Sequence, residues 1–160
     1  MNVSLVLVHP EIPHNTGAIG RVCVALDMRL HLIQPLGFDL RDRHLRRAGL
    51  DYWEHLDLTL HRSWEQFLET EQPSALCMVS SKGTRSCYEY HFKPGTHIVL
   101  GSESGGFPEP LYTTYAGQLV NIPMPGPHAR CLNLATAAAI VAYEAFRQLA
   151  RPNNIEESTA

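Results

Sequence analysis

Short apolar runs, rich in β-branched residues, recur along the chain and are separated by more polar segments. Runs of this length, bounded by glycine, proline or polar clusters, are typical of buried strands in a parallel sheet. The pattern predicts five strands: Val3–Val8, Leu30–Ile33, Ala75–Ser80, His97–Leu100 and Leu119–Ile122.

Between these runs the apolar residues recur at three- and four-residue intervals, which is typical of helices. The strongest stripe predicts a helix from Asn133 to Ala150. Ser63 is a predicted N-cap for a helix ending at Glu71. Shorter helices are predicted at 18–26, capped by Asn15 or Thr16, and at 41–49. Two prolines and a glycine predict a loop over 9–17.

Alternating strands and helices predict an α/β fold with a mainly parallel sheet. We expect one domain over 1–151 and a loose tail over 152–160. Ligands of such sheets collect at the carboxyl ends of the strands. The loops after Val8, Leu100 and Ile122 are therefore the candidate site.

Composition narrows the class of protein. A formal net charge of -3 means that any nucleic acid is held by a local basic patch. No run is long enough for a membrane span, and the start has no signal-peptide pattern. The four cysteines form no C-x-x-C and the nine histidines no ligand pairing. We therefore expect a cytoplasmic protein with no metal and no membrane partner.

Four local patterns each allow a functional and a structural interpretation. Gly101–Gly106 matches neither the dinucleotide fingerprint nor the P-loop, and is a ligand loop or only a turn. Arg21, near a helix start, indicates an anionic ligand or a solvated side chain. Asn133 either caps its helix or points its amide into a site.

The fourth pattern is the arginine cluster over 41–47, which is a phosphate-binding patch or a solvated helix face. Tyr52 and Trp53 follow it and could stack on bases.

Taken together, these segments resemble the SPOUT superfamily of knotted RNA methyltransferases. The match is to the subgroup that methylates the ribose of the wobble nucleotide in certain leucine tRNAs. The carrying stretches span nearly the whole chain in order: Pro10-Glu11-Ile12-Pro13-x-Asn15-Thr16-Gly17 with Arg21, Leu30-His31-Leu32-Ile33-x-Pro35-Leu36-Gly37-Phe38, Leu45-Arg46-Arg47-Ala48-Gly49-Leu50-Asp51-Tyr52, Gly101-x-Glu103-x-x-Gly106-x-Pro108, Ile122-Pro123-Met124, and Leu132-Asn133-Leu134 followed by Val141-x-Tyr143-Glu144-Ala145.

The resemblance implies a C-terminal deep trefoil knot, a homodimer and tRNA as substrate. It implies S-adenosylmethionine as methyl donor and S-adenosylhomocysteine as product. Arg21 becomes the catalytic residue, and Asn15, Arg46, Arg47 and Tyr143 become RNA-binding. The implied cofactor-binding residues are Val79, Gly101, Glu103, Ile122, Met124, Cys131, Leu132 and Asn133.

Three positions depart from the subgroup's pattern. Gly105 stands where arginine is usual, Cys131 where serine is usual, and Ala135 where a hydroxyl is common. Two alternatives to the wobble methyltransferase follow: an RNA-binding protein of the same fold, or a 2′-O-methyltransferase for another tRNA or rRNA site. A further alternative is an unrelated nucleotide-binding or hydrolytic α/β enzyme, which binding of S-adenosylmethionine would exclude.

Overall fold

A computed structural model describes residues 2–40 and 52–150. Its strands are β1 (Val3–Val8), β2 (Arg29–Ile33), β3 (Leu58–His61), β4 (Ala75–Val79), β5 (Arg85–Ser86), β6 (Thr96–Leu100) and β7 (Leu119–Asn121). Its α-helices are α1 (Pro13–Leu26), α2 (Trp64–Glu71), α3 (Glu109–Thr114) and α4 (Leu134–Leu149). The predicted helix at 41–49 and the predicted tail at 152–160 lie outside the described residues.

The described strands form one sheet in the order β3-β2-β1-β6-β4-β7-β5, and every pairing between them is parallel. The predicted α/β class is therefore confirmed. The single domain over 1–151 stays a prediction. Among the described residues, no helix combines the length and apolar character needed to cross a bilayer.

Helices cover both faces of the sheet, as parallel strands require. On one face α1 and α4 close a core around Leu5, Ile19 and Ala142. On the other face α2 and α3 close a second core around Val6, Phe67 and Val99. The period-two alternation of β1 explains the division, because Leu5 and Val6 point to opposite faces.

The first helix begins earlier than its sequence pattern predicts. Helix α1 begins at Pro13, so the predicted loop over 9–17 is wrong in its second half. Proline suits the first helical position, where its missing N–H would have no partner in the helix. The predicted cap by Asn15 or Thr16 is also wrong, because the N-cap is Ile12, which makes no side-chain capping bond.

Two predicted caps are confirmed by hydrogen bonds. The Ser63 hydroxyl accepts from Gln66 N at 3.2 Å, at the start of α2. The Asn133 side-chain oxygen accepts from Ala135 N and Thr136 N at 2.9 and 3.3 Å, at the start of α4.

Helix α4 is also held at its far end. Gln148 donates to Tyr90 O at 2.9 Å and accepts from Phe92 N at 3.0 Å. Next to it, the buried Glu144 carboxylate accepts two bonds from Arg147 at 2.9 and 2.8 Å. These bonds lower the pKa of Glu144 below its usual value. The helix is therefore fixed by polar contacts as well as by its alanine-rich apolar face.

That close packing predicts the effect of adding volume. Ala138 is fully buried in the core that α1 and α4 share. Ala138→Leu should lower the free energy of unfolding by about 1–3 kcal/mol, because overpacking forces neighbouring side chains from their rotamers. Urea denaturation measures the change, with the exposed Thr136→Leu on the same helix as control. An unchanged midpoint for Ala138→Leu would show that this interface is loose.

Candidate cofactor and RNA site

A cavity of about 480 Å³ lies at the carboxyl edge of the sheet, where β1, β4, β6 and β7 end. Its volume is in the range that small-molecule and cofactor sites occupy. The loops after β1, β6 and β7, predicted from the sequence, all contribute to it. The wall contains eight residues predicted from the sequence, one of them at the end of β4 and the others in the loops after β6 and β7: Val79, Gly101, Glu103, Ile122, Met124, Cys131, Leu132 and Asn133.

The carboxylate of Glu103 joins two of these loops. It accepts from Glu11 N at 2.7 Å, from Ile12 N at 3.2 Å and from the Asn15 amide at 3.0 Å. Glu11 and Ile12 immediately precede α1. The loop after β6 thus provides the acceptor for the two backbone N–H groups that lead into the helix.

The return contact runs between the same two loops. The Glu11 carboxylate accepts from the Ser104 hydroxyl at 2.6 Å and from Ser104 N at 2.9 Å. Both bonds hold the pKa of Glu11 below its usual value, and the bond from the Ser104 hydroxyl has the larger effect. Each loop therefore presents a carboxylate to donors of the other.

Asn15 extends this network to the third loop. Its side-chain oxygen accepts from the Asn133 amide at 2.9 Å while its own amide donates to Glu103. Asn133 thus does more than cap α4: its oxygen holds the helix and its nitrogen holds Asn15. We call the connected side chains of Glu103, Asn15 and Asn133 the three-loop bridge.

Asn15 is 6% exposed. Both ends of its amide are occupied by protein partners, so its place is in the framework of the site. Its contact with RNA stays a prediction, and it would require the bridge to open.

The turn over 101–106 has a structural need for glycine. A Cβ on Gly101 would lie 2.2 Å from the Gly106 carbonyl carbon, and Gly106 has a left-handed φ of 68°. Ser102 and Gly106 exchange two backbone hydrogen bonds at 2.9 and 3.0 Å. Gly101 is therefore required by the closure of the turn itself. A larger side chain at Gly101 would therefore deform the turn as well as enter the space beside it.

The remaining predicted residues lie elsewhere. Arg21 is exposed on α1, and its guanidinium carbon lies 5.1 Å from the centre of the Tyr52 ring. It does not line the cavity formed by the described residues. Tyr143 is exposed on α4, with its ring 6.3 Å from that of Phe146. Arg46 and Arg47 lie outside the described residues.

Sequence reasoning missed a fourth loop, which follows β4. Ser80 and Lys82 line the cavity from this loop, together with Tyr112 of α3. The Lys82 ammonium lies 3.9 Å from the centre of the Tyr112 ring, whose hydroxyl accepts from Phe107 N. The polar run Ser80-Ser81-Lys82-Gly83 directly after a buried strand was the available signal.

Comparison with known proteins gives the family to which the chain belongs. Residues 2–143 match the SpoU rRNA Methylase family, and the chain belongs to that family. The expected relationship to knotted-fold RNA methyltransferases is thus confirmed.

Relatives of similar length agree with the assignment. The chain is 41% identical over 154 residues to the tRNA (cytidine(34)-2′-O)-methyltransferase of Escherichia coli, covering 96% of this chain and 98% of that one. It is 46% identical over 149 residues to a putative enzyme of the same name from Synechocystis, covering 92% and 97%.

Two solved structures are similar in fold. One is described as "Structural insights into the 2-OH methylation of C/U34 on tRNA". It is 48% identical, with a TM-score of 0.87 over 92% of this chain and 95% of that one. The other is the SpoU methyltransferase AviRb from Streptomyces viridochromogenes in complex with AdoMet, at 24% identity and a TM-score of 0.81, covering 91% of this chain and 57% of that one.

The three-loop bridge makes a prediction about stability. Glu103→Gln exchanges one carboxylate oxygen for an amide that faces other donors, so it should lower the free energy of unfolding by about 1–3 kcal/mol. Chemical denaturation measures this, and the exposed Glu69→Gln on α2 should shift it by less than about 0.5 kcal/mol. Equal effects of the two variants would mean that the bridge contributes nothing.

Proposed function

We propose that this chain is an S-adenosylmethionine-dependent tRNA methyltransferase. Its target is the ribose 2′-hydroxyl of the wobble nucleotide, cytidine or uridine 34, of leucine tRNAs. The observation that carries the proposal is the cavity closed by the three-loop bridge, in a chain 41–46% identical to enzymes named for this reaction.

The cavity's chemistry fits the cofactor. Val79, Ile122, Met124 and Leu132 offer an apolar wall suited to an adenine ring. Glu103 and Asn133 have their polar atoms committed to the bridge, so they hold the wall in shape. Cys131 is exposed at the rim. We assign these residues and Gly101 to cofactor binding, with S-adenosylhomocysteine as the product released.

When bound, S-adenosylmethionine supplies a methyl group already activated by a sulfonium, so we propose that the reaction uses no metal. The ribose oxygen forms the new bond to carbon, the sulfur–carbon bond breaks, and the hydroxyl proton leaves to solvent. What the protein must supply is alignment of the two reactants and stabilisation of the charge that develops on the oxygen.

We assign to Arg21 the role of stabilising the charge that develops on the ribose oxygen. Arginine remains protonated in proteins, so it cannot be the base. A guanidinium can hold the phosphate beside the target ribose and stabilise the developing alkoxide. Its position over the Tyr52 ring restricts the side chain while leaving it exposed to RNA.

We further propose a homodimer and the family's deep trefoil knot. The chain leaves β7 near one side of the sheet and returns to pack α4 on α1, β1 and β6, which is compatible with threading. Tyr143 is 51% exposed on α4, and we assign it to RNA binding. Sedimentation at micromolar concentration should show twice 17.9 kDa, and a lone 17.9 kDa species would contradict the dimer.

Cytoplasmic localisation follows from a tRNA substrate. The name of the matching family refers to methylation of rRNA, so ribose methylation of an rRNA is the second candidate function. The departures at Gly105, Cys131 and Ala135 bear on target choice rather than on the bridge. A binding protein of this fold without methyl transfer is a further outcome of the test below.

The test is transfer of labelled methyl from S-adenosylmethionine to purified leucine tRNAs, followed by nucleoside mass spectrometry. We expect 2′-O-methylation at position 34, lost when that nucleotide is replaced by a 2′-deoxynucleotide. Methylation of rRNA alone would favour the second candidate. Cofactor binding without transfer to either RNA would identify a binding protein.

Arg21→Ala should leave cofactor affinity nearly unchanged and reduce methyl transfer by roughly a hundredfold or more, as expected when transition-state charge loses its stabilising group. Single-turnover methylation at saturating tRNA measures the loss, with the exposed Arg62→Ala as control. A normal rate at saturation would reduce Arg21 to a binding residue.

Changing Arg46 and Arg47 together to alanine should weaken tRNA binding and flatten its salt dependence. Each lost phosphate contact lowers the slope of log affinity against log salt by roughly 0.7–0.9. Affinity measured from low to moderate salt, again against Arg62→Ala, gives the slope. A wild-type slope would mean that the cluster is a solvated face.

A further inference from the structure

A cluster of three metal-ligand side chains lies on the face of the sheet opposite α1 and α4. His31 comes from the middle of β2, His61 ends β3, and Glu71 ends α2. His31 Nδ1 lies 3.1 Å from His61 Nε2, and Glu71 Oε1 lies 3.9 and 4.0 Å from these two nitrogens. The three ligand atoms thus surround one point.

Burial keeps both rings in the form that binds metal. The two histidines are buried. The pKa of His31 is lowered to about 3, mainly by burial and to a smaller extent by the neighbouring His97. Burial also lowers the pKa of His61, against the opposing effect of Glu71. A metal ligand must be neutral imidazole, so a cation at neutral pH releases no net proton from either ring. The proton that lies between the two facing nitrogens moves to the other nitrogen of its ring.

The surrounding charges favour a cation only moderately. Arg29 faces the cluster, with Nη1 4.0 Å from Glu71, but its Nε is paired with Asp57 at 2.9 Å. The His97 ring packs at a tilt beside His31, and burial lowers the pKa of His97 as well, so it adds no positive charge at neutral pH. Two carboxylates therefore face one permanent cation, a net charge of about −1 that a divalent ion would reverse.

A route from solvent reaches one of the three ligands, Glu71. Glu71, His97, Arg29 and Asp57 line a cavity of about 540 Å³ at the amino ends of the strands, away from the cofactor cavity. It gives a cation access to Glu71 and leaves room for a water ligand.

We propose that His31, His61 and Glu71 bind one divalent cation of the zinc class. Zinc takes imidazole nitrogen at about 2.0–2.1 Å and carboxylate oxygen at about 2.0–2.2 Å in tetrahedral sites. The 3.1 Å nitrogen separation fits two ligands of one such ion, and the Glu71 oxygen, now 3.9 and 4.0 Å from the nitrogens, must close by about half an ångström. The ion ties β2 and β3 to the end of α2, and it is separate from the methyl-transfer chemistry. The sequence predicted no metal because the ligands come from three elements with no shared spacing.

One feature limits the affinity. Metal at His31 Nδ1 places the ring proton on Nε2, which has no partner among the described residues. Ligand histidines usually donate that proton to an acceptor, and loss of the acceptor costs roughly 10–100-fold in affinity. We therefore expect an affinity roughly 10–100-fold below that of a comparable site whose outer ring nitrogen is bonded.

The competing occupant of the 3.1 Å gap is a single shared proton, and metal titration distinguishes the two. Chelator-treated full-length protein is dialysed against Zn²⁺ and analysed by mass spectrometry, and Co²⁺ is titrated by visible absorption. We expect one equivalent of metal and a cobalt spectrum without a thiolate charge-transfer band. Glu71→Gln, an isosteric change at a partly exposed position, should weaken binding at least tenfold.

Two controls separate this site from adventitious binding. Glu69→Gln on the same helix, and Cys131→Ser at the exposed thiol, should both bind as the wild type does. No stoichiometric binding, full binding by Glu71→Gln, or loss of binding in Cys131→Ser would each overturn the proposal.

Discussion

The Glu103 carboxylate, with three donors from the start of α1, is the contact on which the site depends. The three loops leave the sheet from separate strands, and apolar packing beneath them does not fix their tips. A charge-assisted bond to backbone N–H groups does, because it is short, directional and roughly twice as strong as a neutral bond. Asn15 then passes the constraint to Asn133, and so to the start of α4.

This arrangement separates holding the site from using it. Glu103, Asn15 and Asn133 bond to one another and to backbone N–H groups. Apolar side chains form much of the remaining wall of the cavity, with Ser80, Lys82 and Tyr112 as polar members. In the function that we propose, the charge that develops during the reaction is stabilised by Arg21, which does not line the cavity. Gly101 also belongs to the framework, because the Gly106 backbone lies where a Cβ on Gly101 would be.

Much of this architecture was predictable from the sequence. A buried strand such as Val3–Val8 is an almost continuous apolar run, which an exposed segment would not have. The apolar residues of α4 recur at three- and four-residue intervals, which is enough to predict a helix. Resemblance to a family supplied the site residues that periodicity could not. Short elements escaped prediction: β3, at the sheet edge, reads Leu58-Thr59-Leu60-His61, where half-exposed positions leave no continuous apolar run.

Other features needed three dimensions. The start of α1 was misplaced because Pro13 interrupts a helix in general but favours its first turn in particular. The Glu11 backbone N–H donates to the Glu103 carboxylate, 92 positions further along the chain. Nothing in the sequence near Glu103 marks its carboxylate as the acceptor. The neighbours His31, His61 and Glu71 were invisible for the same reason.

The central claim, that the three-loop bridge builds the cofactor site, is tested most directly by calorimetric titration of Asn15→Asp with S-adenosylmethionine. The variant keeps the size of the side chain but places a carboxylate where the amide now lies 3.0 Å from Glu103. The loops should then repel, and affinity should fall at least tenfold, whereas Gln118→Glu, the same chemical change at an exposed position, should leave it unaltered. Wild-type affinity in folded Asn15→Asp would contradict the account.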